Sequence, residues 1–164
     1  MLKCLKPDYY YPDVFALEID RLWGLGIRGI ICDIDNTIVP YGKREVLEGV
    51  EEWLLELQSV GFRVCLVSNG KQERVDYFAN ELELPAIGKA AKPMGRSFRR
   101  ALKEILQLKA NETAIVGDQI FTDVLGGNRV GLKTILVEPL AENEFFVTKV
   151  VRLMERIIFT RKYS

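Results

Sequence analysis

The chain predicts a doubly wound α/β fold with a mainly parallel sheet and helices on both faces. Short apolar runs recur at 29–33, 62–67, 113–117 and 133–137, and stretches with helical spacing of apolar residues separate them. Strands that alternate with helices build parallel sheets, whose strands are covered on both sides. Two of the runs end abruptly in acids, Asp33 and Asp118. In open α/β sheets ligands bind at the carboxyl ends of strands, so the acids fall where function is expected.

Each element has its own signal. Gly29-Ile30-Ile31-Cys32, after Arg28, is apolar and partly β-branched, which suits a buried strand. A helix is predicted over 46–59, with Val46, Val50, Trp53, Leu54 and Leu57 on one face and Gly61 as its stop. The run Phe62-Arg63-Val64-Cys65-Leu66-Val67 supplies the next strand, and 73–80 the next helix. Pro85-Ala86-Ile87 adds a fifth, short strand. A helix over 95–108 turns Phe98, Leu102, Ile105 and Leu106 inward. Strand 113–117, a short helix over 120–130 and strand 133–137 complete the sheet.

A final amphipathic helix is expected over 145–159, with Val147, Val150, Val151, Met154 and Ile158 on one side and Lys149, Arg152, Glu155 and Arg156 opposite. Packing against the sheet is the favoured reading. A membrane-surface or partner helix is the rival, because Arg152, Arg156, Arg161 and Lys162 make its far end basic. The run Tyr9-Tyr10-Tyr11 is expected to pack near the same region. With no repeat, low-complexity stretch or linker, residues 1–164 are read as one domain, its motif-bearing core at about 28–138.

Composition narrows the chemistry. The 23 basic and 23 acidic side chains cancel, so no global field selects nucleic acid or anionic lipid, and no nucleic-acid partner is expected. The chain has no histidine, which removes the usual near-neutral acid/base group and metal ligand. Carboxylates, lysine, the hydroxyls of serine and threonine, or cysteine must then do any hydrolytic work. Cys4, Cys32 and Cys65 show no paired spacing, which favours a reducing compartment. The N-terminus lacks a sustained apolar core and no segment is long enough to span a bilayer. A cytoplasmic protein is expected.

Four motifs stand at strand ends. Asp33-Ile34-Asp35-Asn36-Thr37 places two carboxylates one residue apart, able to divide the work of nucleophile and of general acid and base. Ser68-Asn69-Gly70 offers a hydroxyl and backbone amides to a phosphate oxygen. In Lys92-Pro93, proline forces residue 92 out of helical geometry, so its ammonium can point into a cleft of acids, with Lys89 as a rival for that role. Gly117-Asp118-Gln119, followed by Thr122-Asp123, supplies acids that suit an oxygen-ligand site for Mg²⁺. Turn formation or helix capping explains any one of these acids singly; it explains both groups together poorly.

In this order the motifs resemble the haloacid dehalogenase-like (HAD) superfamily of phosphohydrolases, from Asp33 to Asp123. The Asp-Asn-Thr and Gly-Asp-Gln-x-x-Thr-Asp spellings are similar to those of subfamily IIIA, YqeG-type bacterial phosphatases and of phosphatidylglycerophosphatases. The resemblance implies a Rossmann-like fold and a Mg²⁺-dependent phosphomonoester hydrolase. By it Asp33 is the nucleophile, forming an aspartyl-phosphate, and Asp35 the general acid and base. Thr37 and Ser68 bind phosphoryl oxygens with Asn69 in support, and Lys92 balances charge. Asp33, the backbone carbonyl of Asp35, and Asp118 hold the metal, with Asp123 acting through water or orienting Lys92.

About 30 residues separate Thr37 from Ser68 and about 23 separate Ser68 from Lys92, too few for an inserted cap domain beside the predicted helices. The segment 39–44 is left as a short flap in which Lys43 and Arg44 are candidate anion contacts. Capless relatives of this kind act on large substrates or close the site by oligomerising. By analogy with the phosphatidylglycerophosphatases it resembles, a lipid or macromolecular phosphate such as phosphatidylglycerophosphate, met through peripheral membrane contact, is the expected substrate, and an oligomer is the other way to close the site. The alternatives are a soluble sugar- or nucleotide-phosphate phosphatase and a non-catalytic scaffold that binds a phosphorylated ligand.

Overall fold

A computed structural model describes residues 2–140. The helix expected over 145–159 lies outside the described residues. The strands are β1 (Tyr9–Tyr11), β2 (Gly29–Cys32), β3 (Arg63–Val67), β4 (Ala86–Ile87), β5 (Thr113–Gly117) and β6 (Lys133–Val137). They form one sheet in the order β1-β6-β5-β2-β3-β4, and every neighbouring pair is parallel. From β2 the chain steps outward to β3 and β4, then returns to β5 on the other side of β2. The strand order therefore reverses between β2 and β5, which opens a crevice at their carboxyl ends.

Alternation along the strands sorts the core into two faces. Ile30, Cys32, Val64, Leu66, Ala114, Val116, Ile135 and Val137 point to one side. There they meet α1 (Ile19–Gly24), α2 (Val50–Val60) and α3 (Gln72–Glu81), through Leu22, Trp53, Leu57, Val75 and Phe78. Ile31, Cys65, Val67 and Ile115 point to the other side, against Phe98, Ala101, Leu102 and Leu106. These belong to α4 (Arg96–Arg100) and the π-helical stretch Ala101–Leu106 that continues it. A second π-helical stretch, Ile120–Val124, leads into α5 (Leu125–Val130) and packs on Leu136. Cys32 and Cys65 face opposite sides of the sheet, and both are free thiols.

The structure departs from the sequence reading in informative places. The predicted 46–59 helix begins only at Val50, because Gly49 takes a left-handed φ of 89° that breaks the helical path. Val46 and Leu47 still pack on the core as loop residues. The Tyr9–Tyr11 run forms an edge strand, and the short α1 that follows it falls in a stretch where no helix is predicted.

The added strand is tied on by Asp8. Its backbone N–H donates to the Thr134 carbonyl at 2.9 Å and lies 3.1 Å from Thr134 Oγ1. Its Oδ2 accepts from Thr134 N at 2.9 Å, while Lys133 Nζ lies 3.1 Å from Oδ1. Thr134 is fully buried, so Asp8→Ala strands a buried N–H and should cost about 1–3 kcal/mol. Asp8→Asn keeps an acceptor and should retain most of that stability. Urea unfolding checks the pair, and an unchanged midpoint for the alanine variant would mean that this junction contributes nothing.

Candidate active site

The carboxyl end of β2 delivers Asp33 and Asp35. Asp33 continues the ladder, its N–H bonded to the Val116 carbonyl at 2.9 Å. The chain then tightens: the Ile34 carbonyl accepts from Thr37, Ile38 and Val39. Asn36 occupies the left-handed region at φ 61°, and its Oδ1 accepts from Tyr41 N at 3.0 Å. Short polar side chains tolerate that conformation. The turn thereby brings Tyr41 back over the same end of the sheet.

Lys92 is the centre of the site. Its Nζ lies 2.8 Å from Asp33 Oδ1 and 2.6 Å from Asp123 Oδ1, with the Lys92 and Asp123 side chains each 1% exposed. Burial alone would push the ammonium's pKa down, but the carboxylates of Asp123 and Asp33 more than offset this and hold it up. The loop before it kinks through Lys89 and Ala91, both at positive φ. Asn69 fixes its exit: Asn69 Oδ1 accepts from Lys92 N at 2.7 Å, and Asn69 Nδ2 donates to the Lys92 carbonyl at 3.2 Å. Asp123 is set by accepting from Gln119 N at 3.2 Å through Oδ2. Gly117 leaves room for that carboxylate, since a Cβ there would overlap it.

An open cleft of about 250 Å³ covers this constellation, walled by Asp33, Asp35, Asn36, Tyr41, Ser68, Asn69, Gly70, Lys92, Gln119 and Thr122. Ser68 Oγ accepts from Gly70 N at 3.0 Å, which turns the loop after β3 toward the cleft. Most of the sequence-predicted residues thus share one end of the sheet. Thr37, Asp118 and Asp123 lie behind the cleft wall, and the Thr37 hydroxyl is buried with no partner among the described residues. Lys89 is exposed and lines a different groove, so Lys92 is the lysine among the acids. The sequence reading missed Arg74 on α3, whose Nε and Nη2 donate to Asp35 Oδ1 at 3.1 and 2.7 Å. In the sequence Arg74 is one more charged residue in a helix, and only the fold turns it toward Asp35.

Asp33, Asp118 and Asp123 each present a carboxylate oxygen within 4.8 Å of the others. Asp118 Oδ1 is buried with no hydrogen-bond partner among the described residues. A buried acceptor left unsatisfied is costly, and clustered hard oxygen donors are what Mg²⁺ takes. The residues fit a divalent cation.

Protonation follows from burial. Asp118 is pushed up to about 8 by desolvation, reinforced by the charges of Asp123 and Asp33. Asp33 rises to about 6, where desolvation outweighs the pull of Lys92. Both folded values exceed the ordinary 3.8, so the folded state binds more protons than the unfolded state between about pH 4 and 8. Stability of the metal-free protein should therefore fall as pH rises through that window. Asp118→Asn cannot ionise and should flatten much of the slope. Denaturant unfolding in chelator at several pH values measures it; an equally steep slope in the variant would contradict the assignment to Asp118.

Residues 40–131 match the haloacid dehalogenase-like hydrolase family, a span that begins after Asp33 and Asp35 and includes Ser68, Lys92, Asp118 and Asp123. The Bacillus subtilis protein named "Probable phosphatase YqeG" is 39% identical over 96% of this chain and 91% of its own length. Phosphatidylglycerophosphate phosphatase 1 of Arabidopsis thaliana is 28% identical over 94% of this chain, which spans about half (47%) of that relative. Among solved structures, a protein from Legionella pneumophila described as a putative HAD superfamily (subfamily III A) hydrolase shares the fold, with a TM-score of 0.55 and 17% identity over 85% of this chain and 86% of its own. The family match spans more than half the chain and the Bacillus relative nearly all of it, so the chain belongs to the haloacid dehalogenase-like hydrolases, among their phosphatases.

Proposed function

We propose that the chain hydrolyses phosphomonoesters with the help of Mg²⁺ and passes through an aspartyl-phosphate on Asp33. The observation that carries this reading is the ammonium of Lys92 held between Asp33 and Asp123 at the floor of an open cleft. A carboxylate that attacks a phosphate dianion meets like-charge repulsion, and a fixed positive charge beside it offsets that repulsion. Asp33, the main-chain carbonyl of Asp35, and Asp118 would hold the metal, which adds Lewis-acid neutralisation of the phosphoryl oxygens when bound.

The residues divide the reaction between them. An Asp33 carboxylate oxygen forms a bond to phosphorus as the ester P–O bond breaks, and Asp35 gives its proton to the departing alcohol oxygen. Asp35 then takes a proton from water, whose oxygen attacks the same phosphorus and releases inorganic phosphate and the free Asp33 carboxylate. Ser68 lies on the cleft wall, where its hydroxyl would bind a phosphoryl oxygen. Asn69 serves by holding the Lys92 backbone. Asp123 is the positioning partner of the ammonium.

The substrate is inferred to be a lipid-borne phosphate of the phosphatidylglycerophosphate type. An open site imposes no size limit on the leaving group, and the Arabidopsis relative carries that activity in its name. Among the described residues no helix is long and apolar enough to cross a membrane, so the lipid would be met from the water side. The free thiols are in keeping with a cytoplasmic setting.

Phosphate release from lipid, sugar and aryl phosphates, with Mg²⁺ and with chelator, tests the proposal. Asp33→Asn should remove turnover by about 10³-fold or more while the fold persists. Asp35→Asn should lose about 10²–10⁴-fold with alkyl phosphates and distinctly less with p-nitrophenyl phosphate, whose leaving group needs little protonation. Wild-type turnover by a folded Asp33→Asn protein would end the mechanism.

A further inference from the structure

A second cleft, of about 310 Å³, lies beside the first and is lined by Arg44, Lys71, Glu73, Arg74 and Tyr77. Arg74 joins the two. Arg74 lines the second cleft while its Nε and Nη2 hold Asp35 of the first. Lys71 follows Gly70, and Arg44 follows Tyr41 in the same flap; Gly70 and Tyr41 both wall the first cleft.

Charge in the second cleft is unbalanced. Arg44 and Lys71 meet no acid among the described residues, and Arg74 Nη1 has no hydrogen-bond partner among them either. Glu73 is the one acid in the lining. Arg44 stands over the Tyr77 ring at 5.9 Å and Arg74 over Phe78 at 5.0 Å, contacts that preset both guanidinium groups. The cleft lies at the start of α3, a helix with no side-chain cap on its first turn, so the partial positive charge of the helix end adds to the lysine.

We infer that this cleft is a second anion subsite, and that the substrate is a phosphomonoester whose leaving group carries a further phosphate or phosphodiester. The inference rests on the phosphomonoesterase reading and names the substrate class within it. The reacting phosphate occupies the Asp33–Lys92 floor and the second anion lies against Arg44, Lys71 and the free edge of Arg74. Arg74 then touches the distal anion and Asp35 at once, so occupancy of the subsite steadies the acid/base carboxylate. A lipid headgroup with a phosphodiester and a soluble bisphosphate offer the same chemistry, and both are tested.

The experiment compares kcat/KM for phosphatidylglycerophosphate in mixed micelles against glycerol 1-phosphate, and for fructose 1,6-bisphosphate against fructose 6-phosphate. Binding of the two fructose phosphates to Asp33→Asn protein is measured by calorimetry alongside. A preference of roughly tenfold or more for the doubly anionic member is expected, falling with added salt. Lys71→Glu and Arg44→Glu, both at exposed positions, should bring the ratio to within about threefold, and Lys71→Arg should preserve it. Preference for the lipid pair alone assigns the subsite to headgroups; preference for both assigns it to the anion itself. Ratios near unity in turnover and binding, or ratios untouched by the charge reversals, would overturn the subsite. Tight bisphosphate binding without hydrolysis of any ester would instead uphold the subsite and overturn the phosphatase reading.

Discussion

The buried ion cluster of Lys92, Asp33 and Asp123 is the constraint on which the rest of the site depends. It draws on separate loops: Asp33 follows β2, Lys92 comes from the loop after β4, and Asp123 lies beyond β5. In the sheet order β4 is an edge strand, and β3 stands between it and β2. The loop must therefore cross the end of β3 to put an ammonium against Asp33. It does so by pairing Lys89 N with the Gly70 carbonyl and Ala90 N with the Ser68 carbonyl. Asn69 then clamps Lys92 itself. A lysine that was not needed among the acids would not need this crossing.

Such a cluster is a poor way to gain stability. Desolvating charges costs several kcal/mol per ion, and well-packed apolar residues of similar volume often serve folding better. Here the balance is worse still, because Asp118 is buried close to Asp33 and Asp123 with an oxygen that nothing described satisfies. Burial and the neighbouring charges of Asp123 and Asp33 push the Asp118 carboxyl up to about 8, so it resists ionising beside them. That concentration of unfavourable electrostatics in one crevice, at the switch point of the sheet, is what a cation and a phosphate dianion would relieve together.

Much of this was legible in the sequence, and the parts that were not share a physical reason. The four main strands showed because each is a continuous apolar run buried on both faces, as β2 and β5 are along their whole length. Their terminal acids showed because carboxylates rarely follow such runs without cause. The edge strand β1 did not show, since Tyr9 to Tyr11 is only half covered and its pairing depends on Asp8 meeting Thr134 far along the chain. The start of α2 was set too early because Val46 and Leu47 keep the apolar pattern while Gly49 breaks the backbone. Arg74 was hidden because its partner Asp35 lies 39 positions away. Thr37 was assigned to the phosphate by family resemblance, and the tight turn at Ile34 leaves its hydroxyl buried with no partner among the described residues.

The two acids of the first motif differ in setting, although a single residue separates them. Asp33 lies on a buried floor beside Lys92, where desolvation raises its pKa to about 6 and still leaves it mainly ionised at neutral pH. Asp35 lies at the rim, one oxygen held by Arg74 and the side chain 20% exposed. A nucleophile gains from a water-poor surrounding that strengthens its electrostatics, whereas an acid that must reload its proton each cycle gains from contact with solvent. The tight turn that begins at Ile34 sets the two carboxylates at different depths, Asp33 on the floor beside Lys92 and Asp35 at the rim beside Arg74. No cap domain is needed to create the contrast, because it comes from the depth of each carboxylate below the mouth of the cleft.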